Sequence, residues 1–256
     1  MEPGLYLVGT PIGHLQDITL RALETLREAS LILAEDTRET RKLLERHGLR
    51  TPMMSYHKFN EAARVEEVLN RLRGGAAIAL VTDAGMPGVS DPGARVVSAC
   101  REAGLAVRVV PGPSAVTSAV ALAGFASGGF VFGGFLPPKP GARRRRLAEL
   151  GRSDLPLVLF ESPYRLLRLA DDVEAMLGPR RMVVARELTK HFEEVIAGVP
   201  ADIRASFAKR AVKGEIVVII EPGDGREIPP ASEPSDEIAE EDDPHAATLD
   251  TPFCGC

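Results

Sequence analysis

The sequence predicts two α/β domains, and three observations predict them. Short apolar runs alternate with amphipathic segments of helical period, the sequence form of βαβ units feeding parallel sheets. This alternation restarts after Pro111-Gly112-Pro113, splitting most of the 256 residues into two stretches of ordinary domain size. The composition, 45% hydrophobic and 26% charged, supplies a core and a solvated surface together, and excludes a wholly disordered chain, a collagen and a disulfide scaffold. The expected layout is an N-terminal domain over 1–112, a second over 113–222 and an acidic tail over 223–256.

Leu5-Tyr6-Leu7-Val8 opens the first domain as a strand, apolar on both faces as a strand covered by helices must be. Ser30 to Ala34, the buried run Ala77 to Val81, and Ala106 to Val110 follow as strands. A helix is expected from Asn60 to Gly74. Asp91-Pro92 reads as an N-cap followed by proline at the first helical position, and Gly104 closes that helix after Arg101. In the second domain the order is helix Ser114 to Ala123, strand Phe130 to Phe135, a basic helix around Arg143 to Leu150 and strand Leu157 to Phe160. Helix Pro163 to Leu177, capped by Ser162, precedes strands Met182 to Arg186 and Glu194 to Ala197, helix Ala201 to Lys209 and strand Glu215 to Ile220.

The net charge of −5 conceals an asymmetry. From Pro222 onward there are ten acidic residues against Arg226 alone, a charge of −9, which leaves the body at +4 with 30 basic and 26 acidic residues. Such a body admits a polyanionic partner. The tail, rich in Pro, Glu, Asp and Ser, buries too little apolar surface to offset the entropy of ordering and is expected to be disordered. No run of about 18 apolar residues and no signal-peptide pattern is present, so a cytoplasmic protein without membrane contact is expected. Three cysteines, Cys100 in a helical pattern and Cys254 and Cys256 at the end, form no disulfide framework.

Ligands of parallel sheets bind at the carboxyl ends of strands, and three loops there stand out. Gly9-Thr10-Pro11-Ile12-Gly13-His14-Leu15 is a tight bend that is neither a P-loop nor a dinucleotide fingerprint. Ala34-Glu35-Asp36-Thr37-Arg38 carries Asp36, which reads both as a helix N-cap partnered by Glu39 and as a functional acid. Thr82 to Gly93 packs glycine, proline and carboxylates after a buried strand, and Asp83 has no helix beside it to cap, so its carboxylate is a candidate acceptor for a polar ligand. The histidines His14, His47, His57, His191 and His245 lack metal-site spacing, and Ser114 lies outside a nucleophile elbow, so neither a metal nor a serine hydrolase is expected.

Eight segments in order resemble one family: Gly9 to Gly13, Ala34 to Arg38, Asp83 to Pro87, Pro111 to Ala115, Gly133 to Pro137, Phe160 to Arg165, Arg186 to Lys190 and Lys213 to Glu215. Their order and spacing, over about residues 4 to 221, are similar to the ribosomal RNA small subunit methyltransferases I, relatives of the tetrapyrrole methylases. The resemblance implies two α/β domains of the tetrapyrrole methylase (class III methyltransferase) type with S-adenosylmethionine in the interdomain cleft. It implies a homodimer that methylates a cytidine ribose 2′-hydroxyl in the decoding region of 16S rRNA, with the 30S subunit as partner. It makes Pro11, Asp83, Ala84, Gly85, Met86, Pro87, Ser114 and Ala115 candidate cofactor contacts. Met86, Thr82, His14 and Tyr164 stand where the family commonly has Thr, Ser, Asn and His.

Transfer from a sulfonium to an alcohol is an in-line displacement, so alignment and a proton acceptor carry the chemistry. The expected acceptor is Glu187 or a neutral Lys190, with Asp36 a further catalytic candidate; an ion pair at a strand end is the alternative for Glu187 and Lys190. Arg38, Arg165 and the run Arg143, Arg144, Arg145 and Arg146 are expected to hold RNA, although four consecutive arginines point around a helix and only two or three can face one phosphate track. Two other readings remain open, a methylase of a small corrin-like acceptor and a non-catalytic RNA-binding assembly factor. Against the first, the chain has Gly-Thr-Pro-Ile-Gly-His where small-molecule methylases tend to have Gly-x-Gly-Pro-Gly-Asp.

Overall fold

A computed structural model describes residues 1–223. The remainder of the acidic tail, with its expected disorder and with Cys254 and Cys256, lies outside the described residues. The described chain divides into two compact units, Met1–Ser114 and residues from Ala115 onward.

Unit 1 is a five-stranded, fully parallel sheet. Its strands are β1 (Gly4–Val8), β2 (Leu31–Ala34), β3 (Met53–Ser55), β4 (Ala77–Val81) and β5 (Val107–Val110), in the spatial order β3-β2-β4-β1-β5. Helices α1 (Leu20–Glu28) and α2 (Thr37–Arg46) cover one face, where Tyr6, Val8, Ile32 and Ala79 meet Leu26 and Leu43. Helices α3 (Glu61–Arg73) and α4 (Ala94–Glu102) cover the other, where Leu5, Leu33, Ile78 and Leu80 meet Val68 and Val96. Side chains alternate faces along a strand, so β1 and β4 bury residues both ways, which is why they read as unbroken apolar runs. From β1 the chain crosses one face toward β2; from β4, its neighbour, it crosses the other toward β5. The carboxyl ends of β1 and β4 therefore form a topological switch point.

Unit 2 departs from the expected parallel sheet. After α5 (Ala115–Ala123), strands β6 (Val131–Phe135), β7 (Leu157–Glu161), β8 (Met182–Arg186), β9 (Glu194–Gly198) and β10 (Ile216–Ile220) take the order β6-β7-β10-β8-β9. Only β6 and β7 pair in parallel; β10 is antiparallel to both β7 and β8, and β9 is antiparallel to β8. The connection from β8 to β9 is a short turn, too short for the helical crossover that parallel neighbours require. Helices α6 (Pro140–Leu150), α7 (Leu166–Leu177) and α8 (Pro200–Phe207) complete the unit, with Leu147, Leu169, Ile203 and Phe207 closing a core around β10.

Two expected caps are corrected. The helix assigned to Asp91-Pro92 begins at Ala94, with Gly93 in the N-cap position, and the helix assigned to Ser162-Pro163 begins at Leu166 after Arg165. Ser162 instead accepts a 3.4 Å bond from the Tyr164 backbone N–H within its own loop. Asp-Pro and Ser-Pro suit turns as well as helix starts, and here the turn prevails. Among the described residues no helix is long and apolar enough to cross a membrane.

Candidate active site

The switch point of unit 1 is built by stitching four strand-end loops together. Thr10 and Gly85 exchange backbone bonds of 2.9 and 3.2 Å, and the Thr10 hydroxyl donates to the Thr82 carbonyl at 3.1 Å. Asp83 accepts from the Asp36 backbone N–H at 3.0 Å, and the Thr82 hydroxyl donates to the Glu35 carboxylate at 2.6 Å. A Cβ at Gly9 would lie 2.7 Å from Gly112 and from the Met86 sulfur, so this crossing of the β1, β4 and β5 loops requires glycine.

Beside this seam lies a pocket of about 160 Å³, lined by Thr10 to Gly13, Thr82 to Ala84 and the α2 residues Glu39, Thr40, Lys42 and Leu43. Pockets that take drug-sized ligands measure roughly 300–1,000 Å³, so this one has room for only one end of such a molecule. Asp83 borders it with a buried Oδ2 that has no hydrogen-bond partner. Burial, with Glu35 and Asp36 as neighbouring anions, pushes its carboxyl up to about 7, against the Asp36 N–H that stabilises the charge. Asp91, assigned to helix capping from sequence, is likewise pushed up to about 7 by burial and by Glu35, while a hydrogen bond from Thr82 works the other way. Sequence spacing shows only Asp83 of this pair of acids, because Asp91 comes beside it only once the loop folds back.

In unit 2 all the carboxyl ends of β6, β7 and β8 and the amino ends of β9 and β10 fall on one edge of the sheet, as the registers Ile216 to Glu161, Ile216 to Arg186 and Arg186 to Glu194 require. There Lys190 Nζ lies 3.1 Å from Glu187 Oε1 and 3.0 Å from Glu215 Oε2, and the Glu215 backbone N–H donates to Glu187 at 2.9 Å. Glu187 and Thr189 hold φ of 52° and 64°, sparsely populated values for residues with side chains. Gly214, φ 87°, leaves room for the Glu187 carboxylate, which a Cβ would meet at 2.4 Å. Burial works to lower the Lys190 pKa, but Glu215 and Glu187 outweigh it and hold the amine above its ordinary value. The expected neutral lysine is thus corrected: two carboxylates keep Lys190 cationic. Glu215, given no role from sequence, is raised by burial against the pull of Lys190, and its Oε1 is buried without a partner.

The family of Tetrapyrrole (Corrin/Porphyrin) Methylases matches residues 4–204. Ribosomal RNA small subunit methyltransferase I of Thermotoga maritima is 46% identical over 216 residues, 84% of this chain and 97% of that protein. Its namesake from Haemophilus influenzae is 42% identical over 92% of this chain and 82% of its own length. The chain belongs to the ribosomal RNA small subunit methyltransferase I family. Solved methylases share this family's fold at low identity. Cobalt precorrin-4 methyltransferase superposes with a TM-score of 0.64 at 17% identity, covering 85% of this chain and 94% of that one. Uroporphyrin-III C-methyl transferase from Thermus thermophilus, complexed with S-adenyl homocysteine, gives 0.60 at 19%, covering 85% and 97%.

Within this family member the expected site residues separate into three groups. Pro11, Asp83 and Ala84 line the unit 1 pocket, Gly85 and Met86 build the seam beside it, Pro87 continues that loop, and Ser114 and Ala115 stand at the junction between β5 and α5. Glu187 and Lys190 meet in unit 2. Asp36 is the N-cap of α2, accepting from Arg38 N–H at 2.8 Å, and its side-chain bonds from Arg38 hold it below the usual carboxylate range, which argues against proton-acceptor work. Burial corrects two of the arginines, Arg143 and Arg165. Arg143 is 4% exposed and pairs with buried Asp172 at 2.5 Å, Arg144 pairs with the same carboxylate at 2.6 Å, and Arg165 is buried against Glu161. Arg146 is tied to Glu149, while Arg145 and Arg38 face solvent. Among the described residues no cluster of His, Cys, Asp and Glu fits a metal ion.

Proposed function

We propose that the protein transfers a methyl group from S-adenosylmethionine to the ribose 2′-hydroxyl of a cytidine in the decoding region of 16S rRNA, acting on the 30S subunit in the cytoplasm as a homodimer. The observation that carries the reading is the gathering of the family's motif loops at the carboxyl-terminal edge of each unit's sheet, joined to 41–46% identity with proteins named for methylating small-subunit rRNA. Identity of 17–19% to the corrin and porphyrin methylases carries the fold and no further.

The donor supplies an electrophilic methyl on a sulfonium; the rest falls to side chains. Asp83 Oδ2, buried and unpartnered at the unit 1 pocket, suits a donor group that brings an N–H or O–H and positive charge. Glycine at positions 9 and 112 lets the loops close into a rigid floor, so a bound group is oriented without reorganisation. In unit 2, Glu187 and Glu215 are the proton acceptors for the hydroxyl, and with Lys190 the three groups carry a net charge of −1. A carboxylate whose pKa is raised is the better base, which favours Glu215 as the acceptor.

Methyl transfer from labelled donor to 30S subunits, free 16S RNA and small macrocycles separates this reading from its competitors. Label should appear in 30S as 2′-O-methylcytidine. Glu215→Gln should lower kcat by about 100-fold or more, the usual worth of a positioned base, with calorimetric donor affinity unchanged. Label only in a macrocycle, or an undiminished kcat in the variant, removes the substrate or the base assignment respectively.

A further inference from the structure

We propose that Arg165 and Arg143 are positioning residues for the acceptor: by holding the carbonyls of Leu136 and Pro138 they fix a proline-rich rim that presents Lys139 to an RNA phosphate. This rests on the RNA substrate proposed above and replaces direct phosphate contact by the two arginines with an indirect role. The rim, Leu136-Pro137-Pro138-Lys139, joins β6 to α6 at the carboxyl-terminal edge of the unit 2 sheet. Phe135, which precedes it, pairs with Phe160 on β7, and Glu161 pairs with Ile216, the residue after Glu215. Since β6 is two strands from β10, the rim leaves the sheet about 10 Å from the strand end that carries Glu215.

Pro137, Pro138 and Pro140 carry no N–H, so carbonyls are the main handles by which this stretch of backbone can be anchored. Three of them are held. Arg165 Nη1 donates to the Leu136 carbonyl at 3.4 Å, Arg143 Nη1 to the Pro138 carbonyl at 3.1 Å, and the Arg143 backbone N–H to the Lys139 carbonyl at 2.9 Å. Each guanidinium is aimed by a buried carboxylate. Glu161 Oε1 accepts from Arg165 Nε at 2.7 Å and lies 2.6 Å from its Nη2, and Asp172 Oδ2 accepts from Arg143 Nε at 2.5 Å. The Ser162 backbone N–H donates to the same Glu161 oxygen at 2.7 Å and holds that carboxylate in place.

Ion pairing alone is a weak reason for burying these charges, because apolar residues of similar volume commonly stabilise a core as well or better. What a guanidinium adds is a planar fork that holds a carboxylate on one edge and a carbonyl on another. Glu161 shows what this arrangement costs: burial pushes its carboxyl above the ordinary value against the pull of Arg165, and its Oε2 is buried without a hydrogen-bond partner. The outer side of the rim faces solvent, for Pro138, Lys139 and Pro140 are exposed while Leu136 is buried. Lys139 therefore stands between two prolines of fixed φ on a backbone anchored from beneath, which reduces the ordering entropy lost when it meets an anion.

The test is equilibrium binding of 30S subunits and methylation kinetics across a salt series, using the full chain. Arg165→Lys keeps a charge beside Glu161 but loses the fork, and Glu161→Gln with Arg165→Met removes the buried charges while keeping their volume. Both should raise Kd and KM for 30S by about three- to tenfold, the worth of one hydrogen bond, and leave kcat, calorimetric donor affinity and the slope of log K against log salt unchanged. Pro138→Gly loosens the rim from its exposed side, leaves both buried pairs intact and should raise KM likewise; it decides the matter where an arginine variant has no thermal unfolding transition. Lys139→Ala should lower the salt slope by about 0.7 to 0.9, one phosphate contact. An unchanged KM in the folded rim variants makes the arginines structural only and overturns the proposal. So does a salt slope lowered by Glu161→Gln with Arg165→Met, which would mark direct phosphate contact by Arg165, or a slope unmoved by Lys139→Ala. If the Kd pattern holds while the unmodified protein methylates no form of the RNA, the rim stands and the proposed activity falls.

Discussion

Asp83 and Asp91 set the pH behaviour of the site. Both carboxyls are pushed up to about 7 in the folded chain from an ordinary value near 3.8. Between those values the unfolded chain has released its protons while the folded chain retains them, so these groups reduce stability as pH rises from about 4 to 7 and leave it level above. A cationic donor seated against Asp83 reverses the balance by favouring the ionised carboxylate. Calorimetry should therefore find S-adenosylmethionine binding tighter at pH 8 than at pH 6, by up to about tenfold for one linked proton, and Asp83→Asn should flatten the profile. A flat profile in the unmodified protein would detach the donor from this carboxylate. Asp83 was readable from sequence because it follows a buried strand with no helix to cap. Asp91 was not, because Asp-Pro resembles a helix start and its neighbours Thr82 and Glu35 reach it only through folding.

At the scale of the element, the four arginines of α6 show what a charge run conceals. Successive helical residues point about 100° apart, so a run must send some members inward, and no local rule says which. Arg143 and Arg144 both reach Asp172, on α7 and far along the chain, which sits 1% exposed. Their work is to join α6 to α7. Asp172→Ala would leave the Arg143 guanidinium buried without its carboxylate, and urea unfolding should show a loss of about 3–5 kcal/mol. Arg145→Ala, on the solvent side, should stay within about 0.5 kcal/mol. If the two variants are equally stable, the pair is not holding the helices. Most strands, by contrast, were legible within a residue or two. Both β4 and β10 are buried at every position and read as continuous apolar runs. The three-residue β3, half-buried throughout, carries too little pattern to be read.

Across the whole molecule, an apolar run reports burial and not direction, so the parallel sheet of unit 1 and the mixed sheet of unit 2 look alike in sequence. Direction is written in the connections: helical crossovers throughout unit 1, and the tight turn between β8 and β9 in unit 2. The two units also have separate cores, with Leu26 and Ile78 among the buried residues of one and Leu147 and Val218 among those of the other. A ligand that binds the folded state stabilises it by about 2.7 kcal/mol at a hundredfold excess over Kd, and that gain is felt where its contacts are made. If the donor seats on the floor formed after β1, β2 and β4, saturating S-adenosylmethionine should slow amide exchange most at Thr10, Asp36 and Gly85, whose backbone N–H groups close the seam. Exchange at the far ends of the same strands, near Gly4 and Ala77, should change less. Hydrogen exchange resolved by residue checks this directly, and protection that avoids all three loops would place the donor elsewhere.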